Sequence, residues 1–226
     1  MAETAYIDAD GIRTRYLSAG SGEPLILVHG GHFGGKSSAD DWSLNIDGLA
    51  RNFRVLAPDK IGQGYTDNPK ADADYVIGTS VSHLRDFLDA ASIPAAHLSG
   101  HSRGGYAVVR FALEYPERVK SLTIVSSATL MIPPNPIYRE WERCAKAIEN
   151  HRDRIRYLVA ANSWGTAHIT ETFLDGIVAT ESLPKTREAS GKMNAGLFAM
   201  FSANLVERQK ETHDLIRRGG IKAPTL

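Results

Sequence analysis

One cysteine, Cys144, is all the chain contains, so no disulfide can form within it and no cysteine-based zinc site can be built. Secreted proteins can do without disulfides, but nothing here asks for an oxidising compartment. Excess charge is lacking as well. Lys plus Arg and Asp plus Glu number 26 each, which removes the electrostatic case for nucleic acid or an anionic membrane as a partner. No stretch approaches the roughly eighteen consecutive apolar residues of a membrane-spanning helix. The opening residues, MAETAYIDADGIRTRY, have no apolar core of the signal-peptide kind. These absences lead to the expectation of a soluble, cytoplasmic protein.

What is present suits a folded enzyme-sized unit. The 226 residues are 42% hydrophobic and 23% charged, enough for one substantial α/β domain with a buried core. Thr4 to Asp8 and Arg13 to Ser18 read as two strands around the turn Asp10-Gly11. LILVH, 25–29, is a continuous aliphatic run of the kind buried on both faces of a sheet. Asp41 to Arg51 reads as a helix, RVLA (54–57) as the next strand, and Asp59 to Pro69 as a long glycine-containing turn. Val81, Leu84, Phe87 and Leu88 have helical spacing within 80–91. Ala96 to Ser99 reads as a strand, Gly104 to Tyr115 as a helix with Val108, Val109, Ala112 and Leu113 on its apolar side, and VKSLTIV (119–125) as a further strand. Such alternation predicts a mostly parallel sheet covered by helices on both faces.

The pattern breaks after Met131. Three prolines fall within IPPNP (132–136), and from Tyr138 to Arg218 only helical patterns follow. The expected organisation is a core domain over 1–132 and a helical cap or lid over 133–218. A new strand beginning in IKAPTL would occupy 219–226, where the sequence stops.

Between the strand at 96–99 and the helix at 104–115 lies LSGHSRGG (98–105). Gly100-x-Ser102-x-Gly104 has the spacing of a nucleophile elbow, with the strand before it and the helix after it that such a turn requires. The serine sits on a strained turn, so residues two positions away must be nearly free of side chain, and the hydroxyl projects above the strand end. A packing turn with a bystander serine is the other reading. HGGHFGG (29–35) follows the LILV strand. A tetrahedral oxyanion needs two backbone N–H donors. Arg103, after the serine, is one candidate and Gly31 the other.

The succession GSGEPLILVHGG, FRVLAPDKIGQGYTD and HLSGHSRGGYAVVRFALEYPERVKSLTIVSSA resembles the α/β-hydrolase fold family from about residue 5 to 130. The helical block and RFALEYPERVKSLTIV are most similar to its meta-cleavage-product hydrolases. That resemblance implies hydrolysis of a carbon–carbon bond in a 2-hydroxy-6-oxo-dienoate formed by aromatic ring cleavage. It also implies a small-molecule substrate, ketonisation of the dienol before attack, no cofactor and no metal. Ser102 is then the catalytic serine, Gly31 and Arg103 the oxyanion hole, and Gly30, His32, His101, Trp164 and Arg187 candidates for binding substrate.

Several positions depart from that subgroup. It carries Asn before the serine and an apolar residue after it, where this chain has His101 and Arg103. An asparagine after the Trp-Ser of the first helix is replaced by Leu44, and FLDGIVAT has no counterpart of the lid arginine that grips the carboxylate. Arg103 and Arg187 are the candidates to replace it. A carboxylesterase or lactonase on the same fold, and a non-catalytic ligand-binding protein, therefore stand as alternatives.

A serine nucleophile also needs a histidine base and a carboxylate to orient it, in the chain order Ser, acid, His. The resemblance places both beyond Leu226. His29 is read as a brace of its loop, His101 as too close to Ser102 to act as its base, and His168 as a lid surface residue. His83, His97, His151 and His213 are read as ordinary surface or helix residues. Asp59 to Asp67 is read as structural support. Trp42, Trp141, Trp164, Phe173, Phe198 and Phe201 line either a cleft or a helical core. The expectation is a fragment-like chain, inactive alone, whose unpaired sheet edge favours aggregation or a homo-oligomer.

Overall fold

The computed structural model describes residues 2–131 and 137–226. The proline-rich boundary at 132–136 lies outside them. A six-stranded sheet forms the core, with strands β1 (Glu3–Ala9), β2 (Ile12–Ala19), β3 (Glu23–Val28), β4 (Phe53–Pro58), β5 (Ala96–His101) and β6 (Val119–Val125) in the order β1-β2-β4-β3-β5-β6. β1 and β2 form an antiparallel hairpin, closed by Asp10 and Gly11, both at positive φ. β2 joins β4 antiparallel; the β4–β3, β3–β5 and β5–β6 pairs are parallel.

The period-two geometry of a strand explains how LILV is buried throughout. Ile26 and Val28 face α2 (Ile77–Ala90) and α3 (Arg103–Glu114), where Val81, Leu84, Phe87, Val108, Val109 and Phe111 join them. Leu25 and Leu27 turn to the other face, against Trp42 and Ile46 of a short 3₁₀ turn (Ala39–Trp42) and α1 (Ser43–Leu49). The predicted single helix over 41–51 is thus two pieces. The second predicted helix begins earlier, at Ile77.

The helical block consists of α4 (Ile137–Lys146), α5 (His151–Ala161), α6 (Glu171–Ser182), α7 (Pro184–Lys192) and α8 (Phe198–Gly219). A π-turn at Met193–Leu197, with Gly196 at φ 135°, bends the chain from α7 into α8. Ile155, Ile169, Leu174 and Ile177 make a small core between α5 and α6. Polar contacts along α7 and α8 tie the block to the sheet domain, among them Lys192 with Asp72, Gln209 with the Thr129 carbonyl and His213 with the Leu130 carbonyl. Lys185 of α7 donates to the Gly64 carbonyl at 2.9 Å, and the Tyr106 hydroxyl meets Thr212 of α8 at 3.1 Å. Met193 and Phe201 pack with Phe33, Tyr75 and Tyr106.

IKAPTL does not form a full strand. Thr225 makes one parallel bridge with Leu122, supported by Leu122 N–H to Pro224 O and Leu226 N–H to Leu122 O, both 2.9 Å. Among the described residues, no helix is long and apolar enough to cross a membrane.

Of the two settings read for His83, surface or helix, the second holds, and the residue is buried there. It is 5% exposed, on the buried side of α2, with its ring Nε2 2.8 Å from the Thr14 hydroxyl. Thr14 donates its own proton to the Ile12 carbonyl, so the imidazole N–H donates to Thr14. Helical spacing alone marks an apolar face; it does not reveal that a polar partner on β2 waits beneath a histidine.

Candidate active site

Ser102 stands between β5 and α3 with φ 54° and ψ −121°, a conformation that costs a non-glycine residue of order 1–3 kcal/mol and persists only where the surroundings enforce it. They do so here. Its N–H donates to Val125 O at 3.0 Å, and its carbonyl accepts from the Ser127 hydroxyl at 2.6 Å and from Tyr106 N–H at 3.2 Å. A Cβ on Gly104 would run into the carbonyl oxygens of Val28 and His29, and one on Gly100 into the Gly104 carbonyl. The helix therefore presses on the strand ends at a distance only glycine permits, and the serine is left at the apex.

Opposite it lies the 29–35 loop. A Cβ on Gly30 would sit 3.1 Å from the Ser102 Cβ, so this backbone packs directly against the serine. His29 is fully buried and braces the loop, as its sequence position suggested. Its Nδ1–H donates to the Gly30 carbonyl at 2.9 Å, and its Nε2 accepts from the backbone N–H of Lys60 at 3.0 Å. With both nitrogens used, burial holds its pKa well below the usual histidine range. Gly31 has φ 76°, and its carbonyl accepts from the Lys60 ammonium at 3.0 Å. Among the described residues the N–H groups of Gly31 and His32 donate to no protein acceptor. Neither does the first-turn N–H of Arg103 have a partner within its helix. Unengaged donors beside a serine at an elbow are what an oxyanion hole requires.

Cationic and neutral side chains crowd this point, with the Glu142 carboxylate acting on Arg103 and that of Asp41 on Lys60. Arg103 is half-buried, its guanidinium carbon 5.7 Å from the Phe201 ring centre. Its Nε is buried with no hydrogen-bond partner, and burial lowers its pKa. Lys60 is 3% exposed, and burial followed by the Arg103 charge lowers it to about 7. His32 packs edge-on against Phe198; burial and then the Arg103 charge lower it to about 4, and its Nδ1 bonds the Phe33 carbonyl. Burial, then the Lys60 charge, lowers His101. Neither Lys60 nor Arg103 makes an ion pair among the described residues. Asp59, by contrast, is engaged in structure: its carboxylate accepts from Ala39 and Tyr65 N–H and faces Arg15, which agrees with the supporting role read for its turn.

Gly30, Gly31, His32, His101 and Arg103 thus gather around Ser102. Trp164 and Arg187 do not. Both are exposed on the helical block, and Trp164 borders a separate cavity of about 1360 Å³ with Tyr6, Asp40, Leu44, Phe173 and Ile177. Trp42 and Phe201 are core residues, whereas Phe198 is 46% exposed beside His32. Lys60 and Ser127 were missed in the sequence. A lysine directly after a buried strand and before Ile61 was the available signal for the first; nothing local marks the second. No histidine serves Ser102 among the described residues. Seven of the eight bond elsewhere: His29, His32, His83, His97, His151, His168 and His213. The eighth, His101, is Ser102's own neighbour.

A mostly parallel sheet whose fifth strand delivers a strained serine to a glycine-lined loop has the architecture of the α/β hydrolases. The chain belongs to the α/β-hydrolase fold family, whose profile matches residues 23–166. It is 33% identical over 199 residues to the 2-hydroxymuconate semialdehyde hydrolase of Pseudomonas sp. (strain CF600), covering 84% of this chain and 69% of that protein. It is 37% identical over 136 residues to the 2-hydroxy-6-oxo-6-(2'-aminophenyl)hexa-2,4-dienoic acid hydrolase of Metapseudomonas resinovorans, covering 58% of this chain and 46% of that one. A solved meta-cleavage product hydrolase from Pseudomonas fluorescens IP01 superposes with a TM-score of 0.74 and 26% identity, over 98% of this chain and 77% of the other.

Proposed function

We propose that the protein is a serine hydrolase that splits a carbon–carbon bond in an anionic, ring-cleavage dienoate. The observation that favours this reading over a neutral ester is Arg103, a guanidinium beside Ser102 with a buried nitrogen that has no partner. Burial disfavours this cation; the Glu142 carboxylate acts on it without making an ion pair, and a substrate carboxylate within hydrogen-bond reach would compensate it further. In this reading the dienol is first ketonised. Ser102, as nucleophile or as activator of water, then directs attack on the far carbonyl. The N–H groups of Gly31 and Arg103 hold the oxyanion, while Gly30, His32 and His101 wall the pocket. On collapse the carbon–carbon bond breaks; net addition of water leaves OH on the carbonyl carbon and H on the departing dienoate.

The helical block over 133–218 is proposed as the cap, with residues 219–226 entering the next strand beside β6. No described histidine meets Ser102, so no base and no orienting acid are assigned among the described residues.

The test compares a chromogenic ring-cleavage dienoate with a p-nitrophenyl ester, using the protein as encoded in full beside the 226-residue chain. Faster turnover of the dienoate, a loss on the order of 10³-fold or more in Ser102→Ala, and near-silence of the 226-residue chain are expected. Preference for the ester would transfer the assignment to a carboxylesterase or lactonase. Undiminished activity in Ser102→Ala would remove the nucleophile, and turnover of neither compound would favour a ligand-binding protein.

A further inference from the structure

Two consecutive peptide units of the 29–35 loop are held by their carbonyl oxygens. The Gly30 carbonyl is fixed by the His29 imidazole, the Gly31 carbonyl by the Lys60 ammonium. A trans peptide is planar, with its C=O and N–H pointing in opposite directions. Fixing each carbonyl therefore fixes where the next N–H points: that of Gly31 in the first unit, that of His32 in the second. Lys60 takes part in both restraints, since its own backbone N–H also holds His29 Nε2. Gly31, at φ 76°, is the pivot between the two units, and without the ammonium nothing described in the structure holds its carbonyl.

We propose that Lys60 is a positioning residue of the oxyanion loop, whose ammonium keeps the Gly31–His32 peptide from turning its carbonyl toward Ser102. The inference rests on the reading of Ser102 and Gly31 given above, and extends it to a residue that touches neither substrate nor serine. A lysine is an unusual anchor at such depth. An apolar side chain would avoid its desolvation but could donate no hydrogen bond to the carbonyl, and a charged donor makes the stronger one. The groups that act on Lys60 are Arg103, which opposes its charge, and Asp41, which favours it. His29, His32 and His101 feel Lys60 in turn, and all three have lowered pKa values. With Lys60 itself lowered to about 7, the anchor weakens near neutrality as the proton leaves.

The experiment is a pH titration of the isotopically labelled 226-residue chain by NMR between about pH 6 and about pH 9. It follows the Lys60 side chain together with the Gly31 and His32 amide nitrogens. A Lys60 midpoint within about one unit of 7, shared by both amides, is expected. In Lys60→Arg, which keeps a permanent charge, the amides should hold their low-pH positions throughout. In Lys60→Met they should sit near their high-pH positions throughout. Burial raises the Asp41 carboxyl to about 7, so it titrates in the same window; Asp41→Asn should move the Lys60 midpoint down and carry both amide midpoints with it. Titration of Lys60 near its ordinary value, or amides that stay still while Lys60 titrates, overturns the proposal. Because the readout needs no turnover, its failure is separable from failure of the dienoate reading. Titrating amides with no dienoate hydrolysis would keep the anchor and discard the substrate.

Discussion

Gly48 apart, glycines in the strand-bearing half of the chain and glycines in the helical block occupy opposite surroundings. A methyl group added at Gly20, Gly100 or Gly104 would collide with backbone of another segment, and one at Gly105 would come within 2.7 Å of Ser127 Cβ. At Gly165, Gly176 and Gly191 the same added carbon would meet nothing within 4 Å. The apolar cores repeat the contrast. Five strands and two long helices feed one continuous cluster behind the sheet, whereas the α5–α6 region shares the four residues Ile155, Ile169, Leu174 and Ile177. The glycines around Ser102 leave no room for an added atom, and Gly165, Gly176 and Gly191 of the helical block leave room. That division fits strain held at Ser102 by rigid surroundings and a helical block joined by a small core and surface ion pairs such as those of Arg152 and Arg156 with Glu171.

Substituting Gly104→Ala should break the strained half outright. Its Cβ would overlap two carbonyl oxygens, and a loss on the order of 3 kcal/mol or more in urea unfolding is expected. A folded, equally stable Gly104→Ala chain would dissolve the contrast at its strongest point.

Acid should act on the same half through His83. Burial lowers this imidazole to about 4 from 6.5, so the unfolded chain takes up the proton first as pH falls. Its contribution is intact above about 6.5 and is lost toward 4, at about 1.4 kcal/mol per pH unit for one proton. His32 is lowered to the same range by its own burial and adds to the slope. Removing the imidazole in His83→Leu should make the slope of unfolding free energy against pH shallower by one proton in that window. An unchanged slope would mean the site opens to water.

The smallest effect is expected in the helical block, with the opposite sign. Gly176 lies inside α6 with open space around it, so Gly176→Ala should stabilise the chain by about 0.5–1 kcal/mol. Destabilisation measured by thermal unfolding would show that the cap is packed more tightly at α6 than its surroundings indicate.

Much of the architecture was legible before any coordinates. VKSLTIV is β6 residue for residue, and the helix after the elbow spans 103–114 against an expected 104–115. The alternation of apolar runs and helical spacing carries that information, because each element must bury a face at its own period. The company of Ser102 was only partly legible. Gly30, Gly31, His32, His101 and Arg103 converge because they belong to the ends of neighbouring strands β3 and β5, which sequence order and turn residues suggest. Lys60 was passed over within a turn read as support, since its reach to the Gly31 carbonyl depends on how β4 ends beside β3. Trp164 and Arg187 were drawn toward the pocket by residue type, and helix packing leaves both at the surface.

From the sequence alone came the strand–turn–helix that strains Ser102, the glycines that let it form, and the balanced charge that leaves no basic face. These are local or compositional properties, settled by sterics within a few residues or by counting. Only the tertiary structure decided which groups meet there: His29 and Lys60 on successive carbonyls, Arg103 with its Nε buried and unbonded, His83 against Thr14. Those contacts join residues tens of positions apart, and nothing short of the folded sheet sets their distance or their burial.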